Sequence, residues 1–354
     1  MSAARSLASY LPALLIGAAG GAAFLYLRMP LAWMLGSMVF VGIAVLTGLN
    51  RRLPLRVHPY LRAAMIVVIG VMLGSAFKPA MIERAREWLG LVALMLVYVP
   101  VATTLCYVIF RRFAGLDPVT SYFSATPGGL QEMTLVGEHY GGDGRSIILT
   151  HALRIFLVVM TVPVYFRFIE RLDVPPMAQG AHLWQMLPLE GALLIACGVA
   201  GWFLARLLRI PAAVLVGPML VSAIVHLLGW SSASPPPELV AAAQVVMGAA
   251  LGCRFVGTPL REVGRIAAWA AFATFVMLAL ALGLTVAFAE RVGINREALI
   301  LVLSPGGMAE MSLVALGLGV EVAIVSSMHV FRIAVVVIAA PAVFRLIGLK
   351  RGSD

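Results

Sequence analysis

The chain reads as a succession of apolar runs separated by short polar turns, and the runs are apolar on all sides rather than along one stripe. In the first half they cover residues 10–27, 30–49, 61–77, 88–112, 117–139 and 145–170. Such runs suit helices crossing a hydrocarbon core about 30 Å thick, which takes roughly 20 residues each. Taken alone, the first run, with Arg5 ahead of it, has the outline of a secretory signal.

The second half repeats the first, and this settles that ambiguity. The run ending at Pro211 matches the run ending at Pro30, with Gly17, Gly20, Gly36, Met38 and Gly48 falling on Gly198, Gly201, Gly217, Met219 and Gly229 at a spacing of 181. From Leu61 onward the spacing is 178: Gly70 and Gly74 fall on Gly248 and Gly252, Pro127-Gly128-Gly129 on Pro305-Gly306-Gly307, Glu132 on Glu310, His151 on His329 and Arg154 on Arg332. A segment that recurs in mid-chain is structural, so the first run is expected to remain as a span. The chain therefore divides into two membrane repeats, 1–176 and 177–354.

The fifth run of each repeat is different. In the first, LDPVTSYFSA and LQEMTLVGEH flank TPGG as arms of ten residues, each about 15 Å long if helical and able to reach only half-way across the core. The element is either a broken span or a re-entrant hairpin. A hairpin leaves five spans per repeat, and the second repeat is then inverted. Loop charge favours inversion: the loop holding Arg51, Arg52, Arg56 and Arg62 has the counterpart GWSSASPPPE, without a basic residue. By the bias of basic loops toward the cytoplasm, Arg51 and Arg52 face inward and both termini are cytoplasmic.

Composition agrees. With 62% hydrophobic residues, 12% charged and a mean hydropathy of +1.00, the chain lies outside the soluble range and a soluble enzyme is excluded. The net charge of +10 is spread over short loops, where it sets orientation and does not bind nucleic acid. Cys106, Cys197 and Cys253 lie in apolar runs, without a paired motif.

Candidate chemistry concentrates at the broken elements. Thr126-Pro127 and Ser304-Pro305 have the composition of a helix cap and first turn, which predicts that the second arms begin there. Gly128 and Gly129, and Gly306 and Gly307, would then present bare amides at the positive end of a half-helix, a ready anion site. The alternative is a simple turn. Glu132 and Glu310 need partners at membrane depth, and the expected ones are Arg154 and Arg332, each one helical turn after His151 or His329. These quartets either pin the hairpins structurally or line a solute path. The small-residue spacing of Gly70 and Gly74, and of Gly248 and Gly252, predicts close helix packing. No metal-ligand spacing and no nucleotide loop is present, so no cofactor is expected.

With TPGGLQEM, SPGGMAEM and the H-x-x-R helices that follow them, the chain resembles the AbrB-type membrane protein family, a duplicated inner-membrane domain. The family name implies regulation of gene expression, and members also carry an ammonia-monooxygenase label. Oxygen activation needs clustered copper or iron ligands, which the sequence does not offer. The expectation is an all-α polytopic inner-membrane protein of two inverted repeats, each with about five spans and a broken or re-entrant hairpin. It is expected to move or bind a small anionic solute at a midplane site between the repeats, to catalyse no reaction, and to have the lipid bilayer and a small-molecule or ion ligand as partners. Homo-oligomerisation is left open. The alternative is a membrane-embedded regulator or sensor that binds without transport.

Overall fold

The computed structural model describes residues 9–79, 88–172, 181–256 and 260–348. The termini, and the repeat boundary at 176 and 177, lie outside the described residues. The described residues form fourteen α-helices: α1 Leu11–Tyr26, α2 Ala32–Leu46, α3 Pro59–Ser75, α4 Trp88–Val108, α5 Pro118–Ala125, α6 Leu130–His139, α7 Gly144–Phe168, α8 Pro188–Leu207, α9 Ala213–Leu227, α10 Pro237–Gly252, α11 Leu260–Val292, α12 Arg296–Leu303, α13 Met308–Gly317 and α14 Val322–Ile347. Six stretches among them are long and apolar enough to cross a membrane, namely Trp88–Phe113, Gly144–Phe168, Pro188–Leu207, Pro237–Phe255, Ile266–Val292 and Val322–Ile347. The protein is an all-helical membrane protein.

The first runs are shorter than expected. At 16 and 15 residues, α1 and α2 rise only about 24 and 22 Å. A turn built on left-handed residues separates them: Arg28 has φ 51° and Leu31 φ 49°. The same strain recurs at Arg209 (φ 54°) and Ala212 (φ 52°), the positions 181 residues on. Positive-φ glycines follow suit, Gly48 with Gly229, Gly115 with Gly293 and Gly141 with Gly319. The chain accepts backbone strain of about 1–2 kcal/mol per non-glycine residue at matching places, so the spacings read in the sequence recur in backbone conformation.

The helices sort into two compact units that each draw on both repeats. One comprises residues 1–83, 162–257 and 312–323, and the other 84–161, 258–311 and 324–354. The first unit holds α1–α3 and α8–α10, packed through glycine. A β-carbon on Gly20 would meet the backbone of Gly36, and one on Gly201 the backbone of Gly217, which brings α1 onto α2 and α8 onto α9. Gly70 and Gly74 bring α3 against Leu215 and Met219 of α9, while Gly248 and Gly252 bring α10 against Met34 and Met38 of α2. Each third helix thus packs on the second helix of the other repeat. Lipid supplies no hydrophobic drive between helices, so close backbone approach is the main source of attraction. Ser37 and Ser222 add bonds to the carbonyls of Val245 and Val71, both at 2.8 Å.

The second unit holds α4–α6, most of α7, α11, α12, the first turn of α13 and most of α14. Here the broken element of the first repeat folds back on itself. The Asp143 amide, just past α6, donates to Thr120 Oγ1 at the start of α5 (2.7 Å), and the Tyr140 ring stacks on Phe123. The arms are antiparallel. They pack on α14 through Val119, Tyr122, Phe123 and Met133 against Val336, Ala340 and Phe344, and Tyr122 donates to the Ala340 carbonyl (3.0 Å). Val119–Ala125 and Ala298–Leu303 are wholly buried.

The glycine contacts generate a test. Gly74→Ala and Gly252→Ala should each destabilise the purified protein by about 1–3 kcal/mol through overpacking, although alanine favours the helix by about 1 kcal/mol. Gly283→Ala, on α11 with no atom within 4 Å of the new carbon, should be neutral or stabilising. Unfolding in detergent reads both, and equal effects at Gly74 and Gly283 would refute the packing account.

Candidate functional site

The two Pro-Gly-Gly turns organise the second unit, and their helix caps differ from the sequence expectation. Thr126 and Ser304 do not cap the second arms. Thr126 Oγ1 donates back to the Phe123 carbonyl (2.9 Å) and Ser304 Oγ to that of Ile300 (2.7 Å). Both hydroxyls close the end of the first arm, where free carbonyls await donors. The second arms begin later, at Leu130 and Met308. Gly129, extended at φ −64° and ψ 132°, is the N-cap of α6, and Pro-Gly-Gly is a linker between helix ends.

The arginines hold this linker. Arg154 Nη1 donates to the Thr126 carbonyl (2.9 Å) and Nη2 to that of Gly128 (3.3 Å). Arg332 does the same in the second repeat, Nη1 to Ser304 (2.6 Å) and Nη2 to Gly306 (2.7 Å). Each guanidinium is a two-pronged cap for the negative end of a broken helix, supplied by the next long helix. This corrects the expected ion pairs: neither arginine contacts Glu132 or Glu310 within 4 Å among the described residues. The carbonyls, fixed by the turn and short of donors, take the fork instead.

The carboxylates serve the other side of the turn. Glu132 and Glu310 stand in the first turn of the second arms, half-buried and folded back so that a β-carbon on Gly129 or Gly307 would fall on a carboxylate oxygen. Each acid sits over the positive end of its own helix, in the manner of a capping box. The second glycine of each turn therefore does not face an open space, because the chain's own acid covers it. Gly128 and Gly306 are closed in as well, against Val336 and Met133 and against Met311.

The two arginines are buried, with 5% and 3% of their surface exposed, and no acid among the described residues lies within 4 Å of either. They lie near enough for the charge of Arg332 to act on Arg154. Each also has an Nε without a partner. The same unit buries three more unpartnered polar atoms, the hydroxyls of Tyr98 and Ser124 and Nε2 of His329. Tyr98, on α4 and fully buried, feels both arginines, as does Cys106 feel Arg154. Sequence reasoning missed these groups because the repeat spacing puts Val276, Val302 and Leu284 opposite Tyr98, Ser124 and Cys106. A polar residue in mid-run without a repeat partner was the available signal.

The histidines complete the site. His151 Nε2 contacts the Phe123 carbonyl (2.9 Å), and its Nδ1 accepts from Arg154 Nη2 (2.9 Å). The ring orients the arginine and is neutral with its proton on Nε2. His329 instead turns Nδ1 to the Val325 carbonyl (3.0 Å).

Because Glu132 and Arg154 act on different helix ends, Glu132→Gln and Arg154→Met should destabilise additively, to within about 0.5 kcal/mol in the double variant. Arg154→Met should be the costlier change, by about 1–3 kcal/mol, since it strands one buried and one partly buried carbonyl. Chemical unfolding of the four proteins measures this, and a double variant more stable than Arg154→Met alone would restore the ion pair.

The chain is similar in sequence to known proteins. Residues 33–348 match the family described as transition state regulatory protein AbrB. The chain is 25% identical over 327 residues to the uncharacterized protein YhjN of Bacillus subtilis (strain 168), covering 84% of this chain and 82% of that one. It is 23% identical over 289 residues to the "Putative regulator AbrB" of Escherichia coli (strain K12), covering 80% and 81%. The family match takes in both turns, both acids, both histidines and both arginines. The chain belongs to the AbrB family.

Proposed function

We propose that this protein is a secondary-transporter-like protein of the inner membrane that binds and moves a small anionic solute near the bilayer midplane, at Arg154 and Arg332. The observation that carries this reading is the pair of buried guanidiniums, each with its Nε–H unpartnered and with no carboxylate within 4 Å among the described residues. Burying a charge costs several kcal/mol, and two like charges in one low-dielectric unit repel. An anion offsets both costs at once. The contribution of Thr126, Ser304 and the glycines is then to fix the carbonyls that aim the arginines, and that of His151 to orient Arg154.

The topology follows the same reading. The antiparallel arms of α5 and α6 support a re-entrant hairpin, five spans per repeat and an inverted second repeat, with both termini cytoplasmic. Inverted repeats with interrupted helices meeting at the midplane are the common plan of secondary transporters. The protein is read as a non-enzyme that needs no cofactor and binds no nucleic acid. A second reading, a membrane-embedded regulator that senses the same anion without moving it, is favoured by the names of the family and of the Escherichia coli relative.

Flux into proteoliposomes, against binding by the same preparation, separates the two. Transport predicts saturable uptake of a small oxyanion or carboxylate, abolished in Arg332→Gln. Binding without flux would establish the sensor, and neither would refute both. The topology has its own check. Single cysteines at Arg51 and at Ser232, in a background lacking Cys106, Cys197 and Cys253, should react with an impermeant thiol reagent from opposite sides of the membrane. Reaction of both from one side would refute the inversion.

A further inference from the structure

His151 and His329 hold equivalent places, one turn before their arginines, yet their rings are bonded differently. Both nitrogens of His151 are engaged within the protein. In His329 the Val325 carbonyl takes Nδ1 (3.0 Å), so the ring proton lies there, and Nε2 is left as a buried lone pair without a partner. His329 is fully buried.

The other unpartnered groups of this unit are of the opposite kind. The Nε atoms of Arg154 and Arg332 can only donate, and the hydroxyls of Tyr98 and Ser124 are free to do so. The charged and titratable groups acting on the cluster are Arg332 on the helix of His329, Arg154 from α7, and Tyr98 and Cys106 from α4. None is an acid. Protonating Nε2 would place a third positive charge beside two guanidiniums in a dry interior. The neutral ring is therefore the working form, and among the unpartnered groups the two Nε–H can only donate, the two hydroxyls can do either, and His329 Nε2 alone can only accept.

An anion made only of acceptors satisfies the donors and strands that acceptor. An anion carrying its own hydroxyl satisfies both. We infer that this site selects an oxyanion that bears a hydroxyl group, the arginines taking its charge and His329 Nε2 accepting its O–H. Hydrogen phosphate and small 2-hydroxy acids share that chemistry, whereas sulfate and simple carboxylates lack it. The inference rests on the anion-binding reading and adds the solute class to it. His329 becomes the specificity-determining residue, and His151 remains a positioning residue.

Matched pairs of probes test it with the purified full-length protein near neutral pH. Inorganic phosphate is compared with sulfate, and glycolate with acetate, by calorimetric titration at constant ionic strength. Leaving a buried acceptor unpaired should weaken the hydroxyl-free member of at least one pair by about 10–100-fold. In His329→Leu the preference should fall to near unity, chiefly through loss of affinity for the hydroxylated member. His329→Gln, which keeps an acceptor oxygen, should retain part of it and serves if the leucine variant does not fold. Equal affinities within both pairs, or a preference that survives in both variants, would overturn the inference while leaving an anion site standing. Failure of all four probes to bind would overturn the anion reading and this inference with it.

Discussion

The interaction on which the rest depends is the grip of each arginine on two carbonyls of a broken helix. A membrane interior supplies no water to satisfy backbone groups, so a helix interrupted at depth needs another donor for its free carbonyls. Arg154 and Arg332 supply that donor from a neighbouring long helix, with the fork spanning residues 28 and 26 positions earlier in both repeats. The guanidiniums are committed to carbonyls, and no acid among the described residues lies within 4 Å to neutralise their charge. The acids that could have cancelled it lie over Gly129 and Gly307, where the second arms have their positive ends. Structure and candidate function share one cause, since the device that closes the helix break also concentrates positive charge.

Around this device the duplication does two kinds of work. In the unit built from α1–α3 and α8–α10 it is followed closely: glycines at matching places set matching helix crossings, and left-handed residues recur at both turns. In the unit that carries the arginines the symmetry is kept at the forks and broken around them. Tyr98, Ser124 and Cys106 have apolar counterparts, and the two histidine rings have different partners. Where two halves are needed only to build a scaffold, symmetry suffices. Around the arginines the two halves have unequal surroundings.

Much of the fold was legible in the sequence because its causes are local. Apolar runs and turn glycines gave the helices, and the recurrent small-residue spacing identified the packing faces that the Gly70 and Gly248 contacts confirm. The break in the fifth run was visible as well. What could not be read was partnership across space. Opposite charges suggested that Glu132 pairs with Arg154, but the outcome turned on which acceptors a fixed turn leaves without donors, a property of three-dimensional geometry. Thr126 before a proline reads equally as the end of one helix or the start of the next, and the first arm won because its terminal carbonyls lay within reach of the hydroxyl. Tyr98 stood in an apolar helix opposite Val276 in the repeat, marked only by that mismatch.

The most direct measurement of the central claim is an experimental map of the full-length protein with arsenate, an oxyanion that carries a hydroxyl at neutral pH and scatters X-rays anomalously. The account predicts an arsenic signal in the second unit, with arsenate oxygens about 3 Å from Nε of Arg154 and of Arg332 and both Nη forks still on their carbonyls. An arsenic signal at the Gly129 and Gly307 amides with the glutamates displaced, or arginines found paired with Glu132 and Glu310, would contradict it.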